Sequence, residues 1–410
     1  MDSTTVIVGA SLAGINAART LRLQGHTGSI IVVDADSERP YDRPPLSKQI
    51  LTGEWEPEKI LLPAGKEDLD LEFRLGVRAK AVDLGARQIT LEGVDGAVAN
   101  TAFDSLIIAS GASARRLPDS AGIVGVHVVR TLADSLALRA ELDAGPSRVV
   151  VIGAGFIGAE VASSCRKRGI EVTLVEAMPL PLERILGTEM GQVCAQVHIE
   201  NGVDLRLGVG VLQLETETVD GVEKVIGVAL SDGTTVATEI VVVGIGVTLN
   251  IDWLEGSGLT LDDGVVCDNT LLAAPGVVAA GDIARYPSAR FGRMLRVEHW
   301  ETAIAGGEAA ARRLLAEASG ETPVAFDPIP WFWSDQYDRK IQLAGRPMPT
   351  DTCVVVHGST DEFRFVALYG DGDRLTGVLG MNRPRHVVQL RALFEEGASF
   401  SEACERAATL

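Results

Sequence analysis

The chain has 410 residues, 46% hydrophobic and 23% charged, which allows roughly three domains at a prior of about 150 residues each and a large core. A formal net charge of −19 opposes broad nucleic-acid binding. No apolar run reaches the roughly 18 residues of a membrane-spanning helix, and the longest, such as Ile240–Val247, are strand-sized. The five cysteines (Cys165, Cys194, Cys267, Cys353, Cys404) never approach CxxC spacing, so neither a metal ribbon nor a dithiol redox centre is expected. MDSTTVIVGA enters an apolar run with no basic stretch before it, so no signal peptide is expected, and the composition describes a cytoplasmic multi-domain enzyme.

In chain order, Thr4–Val8 predicts a strand, Gly9-Ala10-Ser11-Leu12-Ala13-Gly14 a tight turn, and the next stretch a helix closing at Gly25. Ser29–Val33 predicts a second strand that ends at Asp34. Short alternating strands with an Asp95-Gly96 turn follow, and Ser105–Ala109 runs into Ser110-Gly111. The pattern then repeats 144 residues on. Arg148–Ile152 leads into Gly153-Ala154-Gly155-Phe156-Ile157-Gly158, a helix ending near Gly169, and Glu171–Val175 before Glu176. Turns at Asp220-Gly221 and Asp232-Gly233 and the strand Glu239–Val243, before Gly244-Ile245-Gly246, complete the second copy. Beyond it, Val277-Val278 precedes Ala279-Ala280-Gly281-Asp282, where the chain returns to the first domain. Strand-like runs at Cys353–Val356, Phe363–Leu368 and Leu375–Leu379, then a helix near His386–Glu395, predict a small C-terminal α+β domain.

Each element of the repeat has a physical task. The first glycine permits the strand-to-helix turn, the second admits a pyrophosphate to the backbone, and the third lets the helix pack on the strand. The helix N-terminus offers unsatisfied N–H groups and the positive end of its dipole. The acids, 20 positions past the last glycine in one copy and 18 in the other, suit ribose hydroxyls. Ser11 replaces the middle glycine of the first copy and is small enough to keep that approach open. The expected fold is α/β, with two Rossmann-like dinucleotide-binding domains and the C-terminal domain. Two such sites without a dithiol suggest one flavin and one nicotinamide cofactor. Asp282 beside a helix start can accept a hydrogen bond from a flavin ribityl chain, or be an ordinary N-cap.

At this point the chain resembles the NADH-dependent, FAD-containing ferredoxin reductases of bacterial oxygenase systems, the putidaredoxin reductase-like flavoproteins. The resemblance rests on Gly9–Gly14, Tyr41-Asp42-Arg43-Pro44-Pro45-Leu46-Ser47-Lys48, Arg130-Thr131-Leu132, Gly153–Glu160, Gly281-Asp282, Glu298-His299-Trp300 and Pro330-Trp331-Phe332-Trp333-Ser334-Asp335-Gln336-Tyr337. It implies a glutathione-reductase-like two-dinucleotide-binding fold, with residues 1–112 and 244–318 forming a discontinuous FAD-binding domain. Residues 113–243 would bind NADH, and 319–410 form the C-terminal domain. The flavin should contact Ala13, Asp34, Arg43, Lys48, Ala79, Arg130, Asp282 and Trp300. NADH should meet the turn from Gly153 to Gly158, including Ile157. Lys48 would lie near flavin N5 and pair with Glu160, stabilising the reduced flavin electrostatically. Without the resemblance, Lys48 reads as a solvated loop charge, Glu160 as a first-turn acid complementing its helix dipole, and Trp300 and Trp333 as core aromatics.

Glu176 suits the 2′- and 3′-hydroxyls of NADH and repels a 2′-phosphate, and Ala177–Leu182 holds no cation to neutralise one. Arg184 would approach the nucleotide or form a surface salt bridge. The resemblance implies hydride transfer from nicotinamide C4 to flavin N5, then single-electron delivery to a [2Fe-2S] ferredoxin serving a P450 or ring-hydroxylating oxygenase. Four arginines (Arg285, Arg290, Arg293, Arg296) without an acid among them mark a basic segment able to steer an acidic ferredoxin, Arg290, Arg293 and Arg296 being the docking candidates, or a solvated loop. Rubredoxin reduction and an apoptosis-inducing-factor-like NADH-binding role are the alternatives. A cysteine-dependent NADH oxidase or peroxidase is disfavoured because no cysteine precedes Cys165.

Overall fold

In the computed structural model, which describes residues 3–62 and 69–410, Thr5–Val8 is buried along its whole length. Four consecutive β-branched residues with no polar face suit a parallel strand covered on both sides. It pairs in parallel with Ile30–Asp34 on one side and Ser105–Ile108 on the other. Glu72–Leu75 extends this sheet beyond Ile30–Asp34, and Val277–Ala279 extends it beyond Ser105–Ile108. Only the edge strand Leu272–Ala274 is antiparallel. The Leu12–Leu23 and Trp300–Ser319 helices pack together so closely that a Cβ at Gly307 would lie 2.1 Å from the carbonyl oxygen of Ala13. An antiparallel sheet of Val77–Asp83, Gln88–Gly93 and Val98–Ala102 belongs to the same unit, formed by Met1–Asp42, Glu58–Ser113 and Thr248–Pro330.

Asp282 stands in the first turn of a short helix. Gly281–Ile283 is a single 3-10 turn, and the chain continues into Ala284–Ser288, which pairs with Val265–Val266 and Arg293–Arg296. Strand pairing takes up those residues, and the next helix begins only at Trp300.

The second unit comprises Arg43–Pro57, Ala114–Val247 and Trp331–Leu410. Its parallel sheet runs in the order Asp204–Leu207, Glu171–Glu176, Arg148–Ile152, Ile240–Val243, Val126–His127. Thr131 and Asp134 form a capping box that starts the Leu132–Asp143 helix. Val211–Val219 and Val222–Leu230 meet through Asp220-Gly221, with φ of +52° and +80°, the two positive values that a type I′ hairpin requires. The C-terminal segment is a five-stranded antiparallel sheet, Trp331–Gln336, Arg339–Gly345, Arg374–Met381, Arg364–Asp371, Thr352–Ser359, with helices Pro384–Glu396 and Phe400–Ala407. Its Phe365, Tyr369, Leu379 and Met381 share one apolar core with Leu186, Met190, Cys194 and Val197 of the Glu183–Glu200 helix. The Pro44–Ser47 turn is tied into this unit by hydroxyls: Ser135 donates to the Leu46 carbonyl (2.7 Å) and Ser164 to the Ser47 carbonyl (2.6 Å).

Candidate active site

Both glycine turns are shaped by backbone crowding. Gly9 has φ +116°, and a Cβ there would lie 2.1 Å from the Ala109 carbonyl oxygen; at Gly14 it would lie 1.9 Å from that of Gly9. Gly153 and Gly158 repeat this, with a Cβ 2.4 Å from the Gly244 oxygen and 1.9 Å from the Gly153 oxygen. The middle position is different. Gly155 is extended (φ −73°, ψ −178°), and a Cβ on it would meet no atom within 4 Å. Ser11 has nearly the same backbone (φ −88°, ψ −169°), which any residue adopts, so serine for glycine brings no strain there.

The helices that leave these turns, Leu12–Leu23 and Phe156–Lys167, have no acid in the first turn and no side-chain cap from Ser11 or Gly155. Their N-termini therefore keep a positive end for an anion. The two acids are held alike. Asp34 accepts from the backbone N–H groups of Ala10 (2.5 Å) and Asp36 (2.8 Å), Glu176 from those of Ala154 (2.8 Å) and Met178 (2.9 Å). A carboxylate has about four acceptor positions, so each retains capacity for ribose hydroxyls. Open space at the middle position, uncapped helix ends and fixed acids fit a dinucleotide at each turn.

Around the first turn, a Cβ at Gly281 would lie 3.1 Å from that of Ala13, which brings Ala13, Gly281 and half-buried Asp282 into one neighbourhood. The Trp300 indole N–H donates to Asp42 (2.7 Å). Ala79 lies on the separate antiparallel sheet, opposite Leu91. In the second unit Arg43 donates to the Arg130 carbonyl (2.8 Å), and Arg184 is exposed at the start of its helix, 3.4 Å from the Met178 sulfur. Ile157 is 46% exposed and gives the second turn an apolar rim. Trp333 is half-buried and tilted against Trp331 at 5.6 Å.

Lys48 and Glu160, 112 residues apart in sequence, meet within the second unit: Lys48 Nζ lies 2.9 Å from Glu160 Oε2. Glu160 is only 3% exposed and accepts two further bonds, from Ser47 Oγ (2.5 Å) and Ser334 Oγ (2.8 Å). All three partners donate, which is what a buried carboxylate needs.

The arginine segment is less basic than its sequence. Arg285 pairs with Asp262, and Arg296 with Asp263 (3.1 Å) and Glu298 (2.5 Å). The Arg290 backbone N–H donates to Asp327 (2.9 Å). The neutralising acids come mostly from other segments, beyond the reach of a local charge count.

All five cysteines are unpaired. Burial pushes Cys165, Cys194 and Cys267 up to about 12 and Cys353 to about 11, so the thiolate that sulfur chemistry needs is suppressed.

Residues 3–307 match the pyridine nucleotide-disulphide oxidoreductase family, and residues 331–408 match the reductase C-terminal family. The chain belongs to the first of these. Within it, rhodocoxin reductase from Rhodococcus erythropolis is 37% identical over 392 residues, 95% of this chain and 88% of its own length. The ferredoxin–NAD(+) reductase component of a p-cumate 2,3-dioxygenase system from Pseudomonas putida is 38% identical over 346 residues, 84% of this chain and 81% of its own. The crystal structure of a covalent putidaredoxin reductase–putidaredoxin complex matches with a TM-score of 0.88 at 32% identity, over 97% of this chain and 94% of that one. These relatives uphold the resemblance to ferredoxin reductases of oxygenase systems and the fold class expected from it.

The two serine donors around Glu160 were not anticipated as part of the site. Ser47 and Ser334 both fall inside the segments that carried the resemblance, beside Lys48 and within Trp-Ser-Asp-Gln-Tyr. Their membership in those segments was the available signal; their convergence on Glu160 was not legible.

Proposed function

We propose that the chain is an FAD-dependent NADH:ferredoxin oxidoreductase that passes electrons to a [2Fe-2S] ferredoxin serving a P450 or ring-hydroxylating oxygenase. The observation that carries this reading is the duplicated glycine turn with its tethered acid, one copy in each unit, in a chain whose thiols are unpaired. FAD is assigned to residues 1–112 and 244–318, with Asp34, Ala13, Asp282 and Trp300 as contacts, and NADH to residues 113–243. When bound, the nicotinamide supplies two electrons as hydride and the flavin releases them singly, a conversion that no side chain of this protein can perform.

The protein's own contribution is binding, orientation and charge. The two turns hold the diphosphates, and Asp34 and Glu176 orient the riboses. Glu176 selects NADH over NADPH by charge: it repels a 2′-phosphate, and Ala177–Leu182 holds no cation to neutralise one. Lys48 is the cation assigned to the flavin, and Glu160 fixes its ammonium. Arg43, Arg130 and Ala79 are assigned to the flavin by the resemblance, and Gly155 and Ile157 to the nicotinamide nucleotide.

Ferredoxin docking is assigned to the hairpin that carries Arg290, Arg293 and Arg296. Reversing Arg290 and Arg293 to glutamate should weaken ferredoxin reduction and flatten its salt dependence while leaving NADH–ferricyanide turnover intact. A cytoplasmic location accords with five unpaired cysteines, and among the described residues no helix is long and apolar enough to cross a membrane. The overall reading is tested by steady-state NADH oxidation against a panel of [2Fe-2S] ferredoxins and rubredoxins. Turnover with at least one [2Fe-2S] ferredoxin is expected. Turnover with rubredoxins alone, or a long-lived NAD complex without turnover, would replace the assignment.

A further inference from the structure

The strand Trp331–Gln336 alternates half-buried and buried residues, and its buried face carries Phe332, Ser334 and Gln336. A core-facing strand position ordinarily holds an apolar side chain, yet Ser334 and Gln336 are both 0% exposed. Their surroundings explain the choice. This face lies on the Phe156–Lys167 helix. Phe332 meets Phe156 edge-on at 4.5 Å, Ser334 meets Glu160, and the Tyr337 backbone N–H donates to Ser163 Oγ at 2.6 Å. Phe156, Glu160 and Ser163 follow the i, i+4, i+7 spacing of a single helix face.

The hydrogen bonds have one consistent direction. A carboxylate only accepts, so the single hydroxyl proton of Ser334 goes to Glu160 Oε1 (2.8 Å). The Ser334 oxygen is then left as an acceptor, and the Gln336 amide N–H donates to it at 3.2 Å. This orientation leaves Gln336 Oε1 buried without a partner, a cost that packing alone does not justify. On the opposite carboxylate oxygen, Ser47 and Lys48 complete the shell.

We propose that Ser334 and Gln336 are positioning residues: the strand aims the amide at the serine and the serine at Glu160, which fixes the Lys48 ammonium. This rests on the role given above to the Lys48–Glu160 pair. It assigns to the C-terminal sheet a direct part in setting that pair, through side chains more than 170 residues from Glu160 in sequence.

The test uses the FAD-loaded full chain. Ser334→Ala is expected to slow flavin reduction by NADH about tenfold, the loss of one hydrogen bond to a charged group, with the NADH concentration dependence unchanged. Ser334→Thr, which keeps the hydroxyl, restores most of the rate. Gln336→Met keeps the volume, removes the donor and gives a smaller loss of the same kind, so the proposal is testable even if Ser334→Ala folds poorly. Thermal melts of Ser334→Ala, Glu160→Gln and the double variant supply a readout independent of turnover: Ser334→Ala should cost less than half as much once Glu160 is glutamine. Fully additive melting shifts, or a wild-type rate in Ser334→Ala, would overturn the proposal. If the unmutated protein accepts no electrons from NADH, the functional reading fails instead, and the thermal cycle still reports whether Ser334 acts through Glu160.

Discussion

Replacing Glu176 with glutamine separates charge from shape at the second nucleotide turn. Glu176 is anchored by the backbone N–H groups of Ala154 and Met178 at 2.8 and 2.9 Å, one on each carboxylate oxygen, and the variant keeps one of these anchors through its remaining acceptor oxygen. Loss of the charged acceptor for ribose hydroxyls should cost NADH about 1.5 kcal/mol, roughly tenfold. A 2′-phosphate carries nearly two negative charges, and at about 5 Å a carboxylate opposes it by about 1.6 kcal/mol even with water-like screening. Removing that repulsion raises NADPH use by a further factor of roughly 15. The preference for NADH over NADPH, measured as the ratio of kcat/KM with ferricyanide as acceptor, should therefore fall by roughly two orders of magnitude, about 3 kcal/mol. A change below about threefold in a variant that melts normally would show that Glu176 does not face the nucleotide ribose.

Other outcomes follow from burial and crowding. His198, under the C-terminal sheet with Nδ1 2.8 Å from the Tyr337 hydroxyl, is lowered by burial to about 4. The unfolded chain therefore binds its proton first. This stability is whole above about pH 6.5 and is lost as pH falls towards 4, by up to about 3 kcal/mol, so urea melts of the wild type should show a steeper acid loss in that window than His198→Asn. Identical slopes would refute it. Gly9→Ala combines a left-handed backbone with a Cβ 2.1 Å from the Ala109 oxygen, and should cost about 3–5 kcal/mol and abolish retention of a yellow flavin; a normal melt and spectrum would contradict the packing argument. Iodoacetamide treatment of the native protein should leave NADH-to-ferredoxin turnover unchanged, because burial holds Cys165, Cys194 and Cys267 as thiols at about 12; inactivation with labelling at one of them would restore sulfur chemistry to the account.

What was legible in the sequence was what local rules decide. Arg148–Ile152 was bounded by its own β-branched run and the glycine after it, and the structure ends the strand at the same residues. Asp220-Gly221 was readable because a two-residue hairpin needs positive φ at both positions. Asp282 beside a helix start was legible too, but the length of that helix was not: pairing of Ala284–Ser288 with strands before and after it ends the helix at Ile283. The partial neutralisation of the basic segment was out of reach for a similar reason, since Asp262 and Asp263, some thirty residues earlier, are folded back against Arg285 and Arg296. Glu160 could be singled out from its motif. The donors that make its burial tolerable could not, because Ser47 and Ser334 lie 113 and 174 residues away and only the fold brings them to one carboxylate.

The central claim is most directly tested by an anaerobic titration of the purified, FAD-loaded chain followed at the flavin absorbance. NADH should bleach the yellow band, and an oxidised [2Fe-2S] ferredoxin should restore it with two ferredoxins reduced per flavin, as one-electron acceptance requires. A flavin that NADH bleaches but no [2Fe-2S] ferredoxin reoxidises would contradict the account.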